Sequence, residues 1–283
     1  MRTRTPLIVT GAAGRLGRLL RVFEDIEDFA TFSTTWTART ASPGVTSWDM
    51  LGKKSPNLPK GGILLHLAGV LPGRGASGYL SDNAEMARTI VATDRLAPFA
   101  HVVFLSTVAV YAPQDGAIAE ISLPDPQTGY GQAKLIAERA LSEGLGKRLT
   151  ILRLANLAGA DALLGANALG AKVVLDPVAG HNSGPERSYI GPLTFAKTMA
   201  ALLAVCAKQE PLPPVINLAQ PGSVAMADLL RVSGRDWCFG PIRDGVVPKV
   251  AVDVQRLARI CPLVAANAET IVAELQSLQG RWP

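Results

Sequence analysis

Pro6-Leu7-Ile8-Val9-Thr10-Gly11-Ala12-Ala13-Gly14-Arg15-Leu16-Gly17 runs from a short apolar segment straight into three glycines set three residues apart. Pro6–Thr10 reads as a strand and Arg15–Phe23 as a helix, so the glycines occupy the turn between them. The spacing GxxGxxG differs from the GxGxxG form, and the match is one of mechanism. The first glycine permits a sharp turn, the second lets backbone approach a phosphate, and the third lets helix and strand pack closely. A pyrophosphate would then rest on the N–H groups at the positive end of the helix. The alternative is a plain structural turn in a chain that has 27 glycines.

Working outward, the same alternation continues. A second strand ends near Arg39, a third is expected at Gly62–Leu67, and a helix covers about Ser81–Ala97. Val102–Ser106 is a fourth strand, Tyr130–Ser142 a helix and Leu149–Leu154 a fifth strand. Near-continuous apolar runs bounded by turns are what a sheet covered on both faces produces, and strand–helix alternation makes it parallel. The expected fold class is α/β, with a doubly wound parallel sheet. Beyond Asn156 the chain is rich in Gly, Ala and Asn and less regular. Helices are expected at Leu193–Lys208, Met226–Val232 and Asn267–Leu278, with a strand at Val215–Leu218. This divides the chain into a dinucleotide-binding part, 1–155, and a small C-terminal substrate lobe, 156–283, partly interleaved with it.

Composition narrows the class. The 283 residues are 48% hydrophobic and 18% charged with a net charge of +5, which excludes a disordered chain. Cys206, Cys238 and Cys261 are scattered, with no CxxC and no His at metal-ligand spacing, so neither a disulfide framework nor a metal site is expected. Mean hydropathy is positive at +0.23, yet Gly61–Leu71 and Val102–Ala112 are too short to span a bilayer, which needs about 20 residues. The basic start is followed only by Leu7-Ile8-Val9, too short for a signal-peptide core, and a cytoplasmic protein is expected. The 28 basic residues are dispersed, so no nucleic-acid partner is expected despite a pI near 9.3. A modest positive balance suits an anionic small ligand.

The end of the second strand sets the dinucleotide type. An acid there serves the ribose hydroxyl of NAD, whereas an Arg accommodates the 2′-phosphate of NADP. Thr37-Ala38-Arg39-Thr40 has no acid, so Arg39 favours NADP, with NAD the alternative if Arg39 is merely solvated. Tyr130-Gly131-Gln132-Ala133-Lys134 places Tyr and Lys on one helix face. An ammonium beside a phenol is expected to lower the phenol's pKa from about 10, giving a group able to pass a proton to or from a substrate oxygen. A packed Tyr and an exposed Lys is the bland alternative. The fourth strand ends in Ser106-Thr107, and ligands of open parallel sheets bind beyond the carboxyl ends of strands. One hydroxyl would orient the reacting oxygen, unless it merely satisfies local backbone.

These residues carry a resemblance. The chain resembles the extended short-chain dehydrogenases/reductases, specifically the NAD-dependent epimerase/dehydratase family with its Rossmann-type sheet. The ordered match comprises Thr10-Gly11, Gly14 and Gly17, Trp48-Asp49-Met50, Leu65-His66-Leu67-Ala68-Gly69, Asn83, Ser106-Thr107, Val110-Tyr111, Tyr130 and Lys134. It continues through Arg153-Leu154-Ala155-Asn156, Asn217-Leu218-Ala219 and Asp253-Val254-Gln255-Arg256-Leu257.

The resemblance implies Tyr130 as acid/base, Lys134 on the nicotinamide ribose, and Thr107 on the substrate with Ser106 beside it. Gly11, Gly14, Arg15, Leu16 and Gly17 would cradle the pyrophosphate, and Asp49 and Met50 would flank the adenine. Leu67, Ala68 and Gly69 would line ribose and pyrophosphate. Asn83 takes a structural or cofactor-proximal role, Asn156 lies on the substrate loop, and Arg187 meets a nucleotide-sugar diphosphate. A homodimer through the Leu135–Leu141 helix is implied as well.

Dehydratases of the family carry an Asp-Glu pair after the Thr. Val108-Ala109 stand there instead, so loss of water is not expected. The expectation is hydride transfer at a carbinol or carbonyl carbon of a sugar, a nucleotide sugar or a smaller hydroxy-carbonyl compound. The rival is a dinucleotide-binding sensor or scaffold without catalysis. His66 reads as structural and His101 as surface. His181 and Arg74 are weaker candidates for ligand contact.

Overall fold

The computed structural model describes residues 4–24, 29–52, 55–71, 79–165, 172–178, 184–278 and 280–281. The expectations for Arg74 and His181 lie outside the described residues. The first part of the chain runs β1 (Thr5–Thr10), α1 (Arg15–Val22), β2 (Phe32–Ala38), β3 (Val45–Ser47), β4 (Ile63–His66), α2 (Asp82–Leu96) and β5 (His101–Thr107). A single 3-10 turn, Val108–Val110, leads to β6 (Ala117–Ile118), α3 (Gly129–Leu145) and β7 (Leu149–Leu154). Then come β8 (Asn156–Leu157), β9 (Val173–Leu175), β10 (Glu186–Arg187), β11 (Tyr189–Ile190), α4 (Pro192–Ala207) and β12 (Val215–Leu218). β13 (Val224–Ala225), α5 (Met226–Val232), β14 (Trp237–Phe239), β15 (Lys249–Val252), α6 (Gln255–Ala258) and α7 (Ala268–Gln276) complete it.

The main sheet has seven strands in the order β12-β7-β5-β4-β1-β2-β3. β1 pairs in parallel with β2 and β4, β2 with β3, and β4 with β5. This is the doubly wound, Rossmann-like arrangement expected from the strand–helix alternation. Along β1, Leu7, Ile8 and Val9 are all buried, as are Ile63, Leu64 and Leu65 on β4. Consecutive strand residues point to opposite faces, so both faces are covered. On one face Ile8, Leu64, Val102, Phe104 and Ile151 pack against Met86, Ala87 and Ile90 of α2 and Ala137 and Leu141 of α3. Strand order reverses between β1 and β4, the position at which open α/β sheets bind ligands.

The described chain forms two compact units. The first comprises Met1–Ala112, Leu123–Arg153 and Met199–Ile216. The second comprises Pro113–Ser122, Leu154–Thr198 and Asn217–Pro283. The second unit has its own core of Ala158, Leu163, Leu164, Tyr189, Leu229, Leu230, Ile271 and Val272. Its four-stranded sheet runs β13-β10-β15-β6, and Asn217 braces it by donating to the Ile118 and Asp253 carbonyls at 2.9 and 3.1 Å. Among the described residues no helix is long and apolar enough to cross a membrane.

Candidate active site

The glycines of the first turn are required by contact as well as conformation. Gly11 has φ +79°, and a Cβ there would lie 2.7 Å from the Ala68 nitrogen. The exit of β1 therefore rests directly on the exit of β4. A Cβ on Gly17 would lie 2.2 Å from the Gly11 carbonyl oxygen, so α1 packs onto its own turn. No side chain caps α1 at Gly14, and the first turn, Arg15 and Leu16 included, carries no acidic residue. An uncapped N-terminus with no nearby carboxylate is suited to an anion. These features fit a dinucleotide's pyrophosphate.

Beyond β2, Arg39 is exposed at the strand end, and its carbonyl accepts from the Ser47 hydroxyl at 2.9 Å. Asp49 is exposed and its Oδ1 accepts from the Leu51 N–H. Met50 is buried in the core, and its carbonyl accepts from the Thr89 hydroxyl at 2.7 Å. Met50 therefore has only backbone to offer a ligand. After β4, Leu67 and Ala68 are half-buried and Gly69 is exposed. Asn83 on α2 clamps this loop: its Oδ1 accepts from the Val70 N–H and its Nδ2 donates to the Val70 and Leu80 carbonyls. The clamp gives Asn83 a structural role in the loop after β4.

α3 begins at a Thr128 cap whose hydroxyl accepts from the Gly131 N–H at 3.1 Å. Gly131 lets that first turn sit on the Val108–Val110 turn, since a Cβ there would fall 2.1 Å from the Ala109 oxygen. Thr107 caps the same 3-10 turn, its hydroxyl oxygen accepting from the Ala109 N–H at 3.2 Å. One turn further along α3, the Lys134 Nζ donates to the Leu105 carbonyl at 2.7 Å and lies 4.2 Å from the Phe104 ring centroid. A Cβ on Gly69 would be 3.8 Å from that Nζ. The first turn of α3, with Tyr130 in it, thus rests on the turn that Thr107 caps, and Lys134 reaches the ends of β4 and β5.

The electrostatics differ from the sequence expectation in one respect. Burial pushes the Tyr130 phenol up to about 12, with no lowering by Lys134. Lys134 is affected the opposite way: burial pulls its ammonium down to about 7 against the opposing pull of Glu138. His66 is neutral, held down to about 3 by burial and then by Lys134. It shares a 2.6 Å hydrogen bond with the Thr10 hydroxyl and stacks on Phe104 at 5.4 Å. His101, expected at the surface, is half-buried and bonds the Thr150 hydroxyl at 3.0 Å, because β7 runs beside β5.

Ser106 does not face outward with Thr107. Its hydroxyl donates to Glu138 at 2.5 Å, and Glu138 also accepts from Arg153 at 2.7 and 3.2 Å. Sequence reasoning passed over Glu138. The signal for it was an acid one turn after Lys134, within a helix face otherwise occupied by Ala133, Ala137 and Leu141. Asn156 and Arg187 belong to the second unit. There the Asn156 amide donates to the Ser188 carbonyl at 3.1 Å, and Arg187 donates to the Glu186 carbonyl at 2.7 Å.

Residues 62–191 match the NAD dependent epimerase/dehydratase family. The matched stretch is a little under half of the chain, and it contains Asn83, Thr107, Tyr130, Lys134, Asn156 and Arg187. The resemblance read from the motifs is borne out over those residues. Adenylate-forming reductase Nps9 of Serpula lacrymans var. lacrymans is 30% identical over 155 residues. That alignment takes in 50% of this chain and 13% of the relative, so the chain spans only a small part of that protein's length.

The UDP-glucose 4-epimerase of Brucella ovis, solved in complex with NAD, superposes with a TM-score of 0.76 at 18% identity, covering 95% of this chain and 96% of that one. The UDP-glucose 4-epimerase of Bifidobacterium longum, in complex with NAD+ and UDP, gives 0.75 at 16% identity over 98% of both chains. At such identities the likeness is one of fold, the fold of epimerase/dehydratase enzymes.

Proposed function

We propose that this protein is a nicotinamide-dinucleotide-dependent enzyme of the extended short-chain class. It acts at a carbinol or carbonyl carbon of a sugar or nucleotide sugar, with Tyr130 as its acid/base. The observation that supports this reading is that Lys134 reaches the Leu105 carbonyl of β5 and the Gly69 loop after β4, while the first turn of α3, which carries Tyr130, rests on the turn capped by Thr107. Gly11, Gly14, Arg15, Leu16 and Gly17 hold the pyrophosphate, Leu67, Ala68 and Gly69 the adjoining ribose, and Asp49 and the Met50 backbone the adenine. The dinucleotide supplies hydride donation and acceptance. Tyr130, protonated at neutral pH, gives its proton to a carbonyl oxygen, and the Thr107 hydroxyl orients that oxygen. Lys134 holds the nicotinamide ribose. Asn156 and Arg187 serve the substrate.

A protonated phenol suits the proton-donating half of a hydride transfer, in which a carbonyl is reduced. The name of the reductase relative points the same way, and Val108-Ala109 in place of an acidic pair argues against loss of water. Arg39 at the end of β2 favours NADP, while the structural relatives were solved with NAD. The test is direct. The purified protein is titrated with NADPH and NADH, then challenged with sugar nucleotides, free sugars and small hydroxy-carbonyl compounds while reduced-nicotinamide absorbance is followed. The expected result is tighter NADPH binding and oxidation with at least one sugar-like carbonyl. Dinucleotide binding with no exchange across the panel would instead identify a sensor or scaffold.

A further inference from the structure

Four charged or polar side chains meet beneath the candidate site, on three different elements. Glu138 of α3, Arg153 of β7, Ser106 of β5 and Lys134 of α3 are each no more than 5% exposed. The Glu138 carboxylate takes the Ser106 hydroxyl on Oε1 at 2.5 Å. The same oxygen takes Arg153 Nε at 3.2 Å, and Oε2 takes an Arg153 terminal nitrogen at 2.7 Å. Arg153 is backed by the Tyr111 ring, 4.7 Å from its guanidinium carbon. Lys134 lies one helical turn before Glu138, so the two side chains share a face with Cβ atoms about 5–6 Å apart.

Burying two charges is costly, and a pair so placed is seldom kept for stability alone, because an apolar pair of equal volume does as well or better. Here the pair sits between the strand that ends in Thr107 and the helix turn that carries Lys134. We propose that Glu138 is a positioning residue of this site, its carboxylate serving as the buried counter-ion of Lys134 while Arg153 and Ser106 hold it in place.

Among the described residues, Glu138 is the acid that acts on Lys134. From β4 Lys134 meets His66, which is neutral. From β5 it meets the Phe104 ring and the Leu105 carbonyl, neither of which carries a full charge. On its own helix Tyr130 keeps its proton. Arg153 of β7 is a cation paired with Glu138. Burial pulls the Lys134 ammonium down, and Glu138 opposes that pull. The proposal rests on the reading of Lys134 as a site residue that works as an ammonium.

The experiment reads Lys134 directly, without any turnover. The full chain is labelled with 13Cε-lysine, the Lys134 signal is assigned with Lys134→Met, and its pH titration is followed in wild type and in Glu138→Gln. The expected result is a midpoint lower by about one pH unit in Glu138→Gln, a tenfold loss of proton affinity. A second variant, Glu138→Gln with Arg153→Met, leaves no buried guanidinium without its carboxylate and so is the less disruptive to the fold. It is expected to shift the midpoint in the same direction by less. An unchanged midpoint in a folded variant would overturn the proposal. A shifted midpoint in a protein that binds no dinucleotide would leave the counter-ion role standing and sink the proposed function instead.

Discussion

Tyr130 and Lys134 are opposite cases of one effect. Burial disfavours whichever form is charged, so it pushes the phenol up to about 12 and pulls the ammonium down to about 7. If Tyr130 gives the proton, Tyr130→Phe is expected to lower turnover by about 10²–10⁴-fold with dinucleotide affinity nearly unchanged. Steady-state kinetics beside a binding titration checks this. His66 makes a separate prediction about stability. Its folded value is depressed to about 3 from 6.5, so its contribution is complete above 6.5 and is lost as pH falls toward 3. At pH 4.5 the loss is on the order of 2 kcal/mol for a group so fully buried. His66→Gln, which keeps a partner for Thr10 and cannot be protonated, is expected to unfold at a temperature less dependent on pH between 7 and 4.5 than wild type. Thermal melts across that range decide it. The candidate residues Tyr130 and Lys134 were legible because their spacing is local. Their proton affinities were not, because those depend on how deeply β4, β5 and α2 bury them.

Among the elements, the first turn and the start of α3 are governed by backbone contact. Gly17→Ala puts a methyl group against the backbone of Gly11 and Ala12, at 2.2 and 2.6 Å, where nothing flexible can give way. The expected result is a loss of about 1–3 kcal/mol in stability, read from denaturant melts, together with weakened dinucleotide binding. Gly131→Ala presses on the Ala109 oxygen in the same manner, and would shift Tyr130 relative to Thr107. A fall in kcat larger than the change in dinucleotide affinity is expected, measured in the same two assays. Strands and helices of the first half stand close to where hydrophobic periodicity placed them, since both faces of that sheet are buried and the signal is strong. Arg153 was seen only as part of a motif. An arginine inside the buried strand Leu149–Leu154 had no visible partner until α3 brought Glu138 to it.

For the molecule as a whole, the path of the chain matters more than any one element. Met199–Ile216 belongs with the first compact unit although it follows a long excursion through the second. It brings Met199, Leu202, Leu203 and Ile216, all fully buried, and the edge strand β12. At roughly 2 kcal/mol for each large apolar side chain, these four amount to about 8 kcal/mol, an upper figure comparable with the whole net stability of a domain. A fragment of residues 1–155 is therefore expected to lack cooperative unfolding, which circular dichroism and limited proteolysis would show.

By itself the sequence determined the α/β class, the strand–turn–helix at Gly11–Gly17, the Tyr130–Lys134 spacing and the resemblance to epimerase/dehydratase enzymes, because each is written in residues near one another in the chain. Tertiary structure alone decided which segments complete the sheet, that Ser106 turns inward while Thr107 does not, and that Glu138 and Arg153 lie beneath Lys134. Those outcomes depend on burial and on partners dozens of residues apart, and no local pattern encodes them.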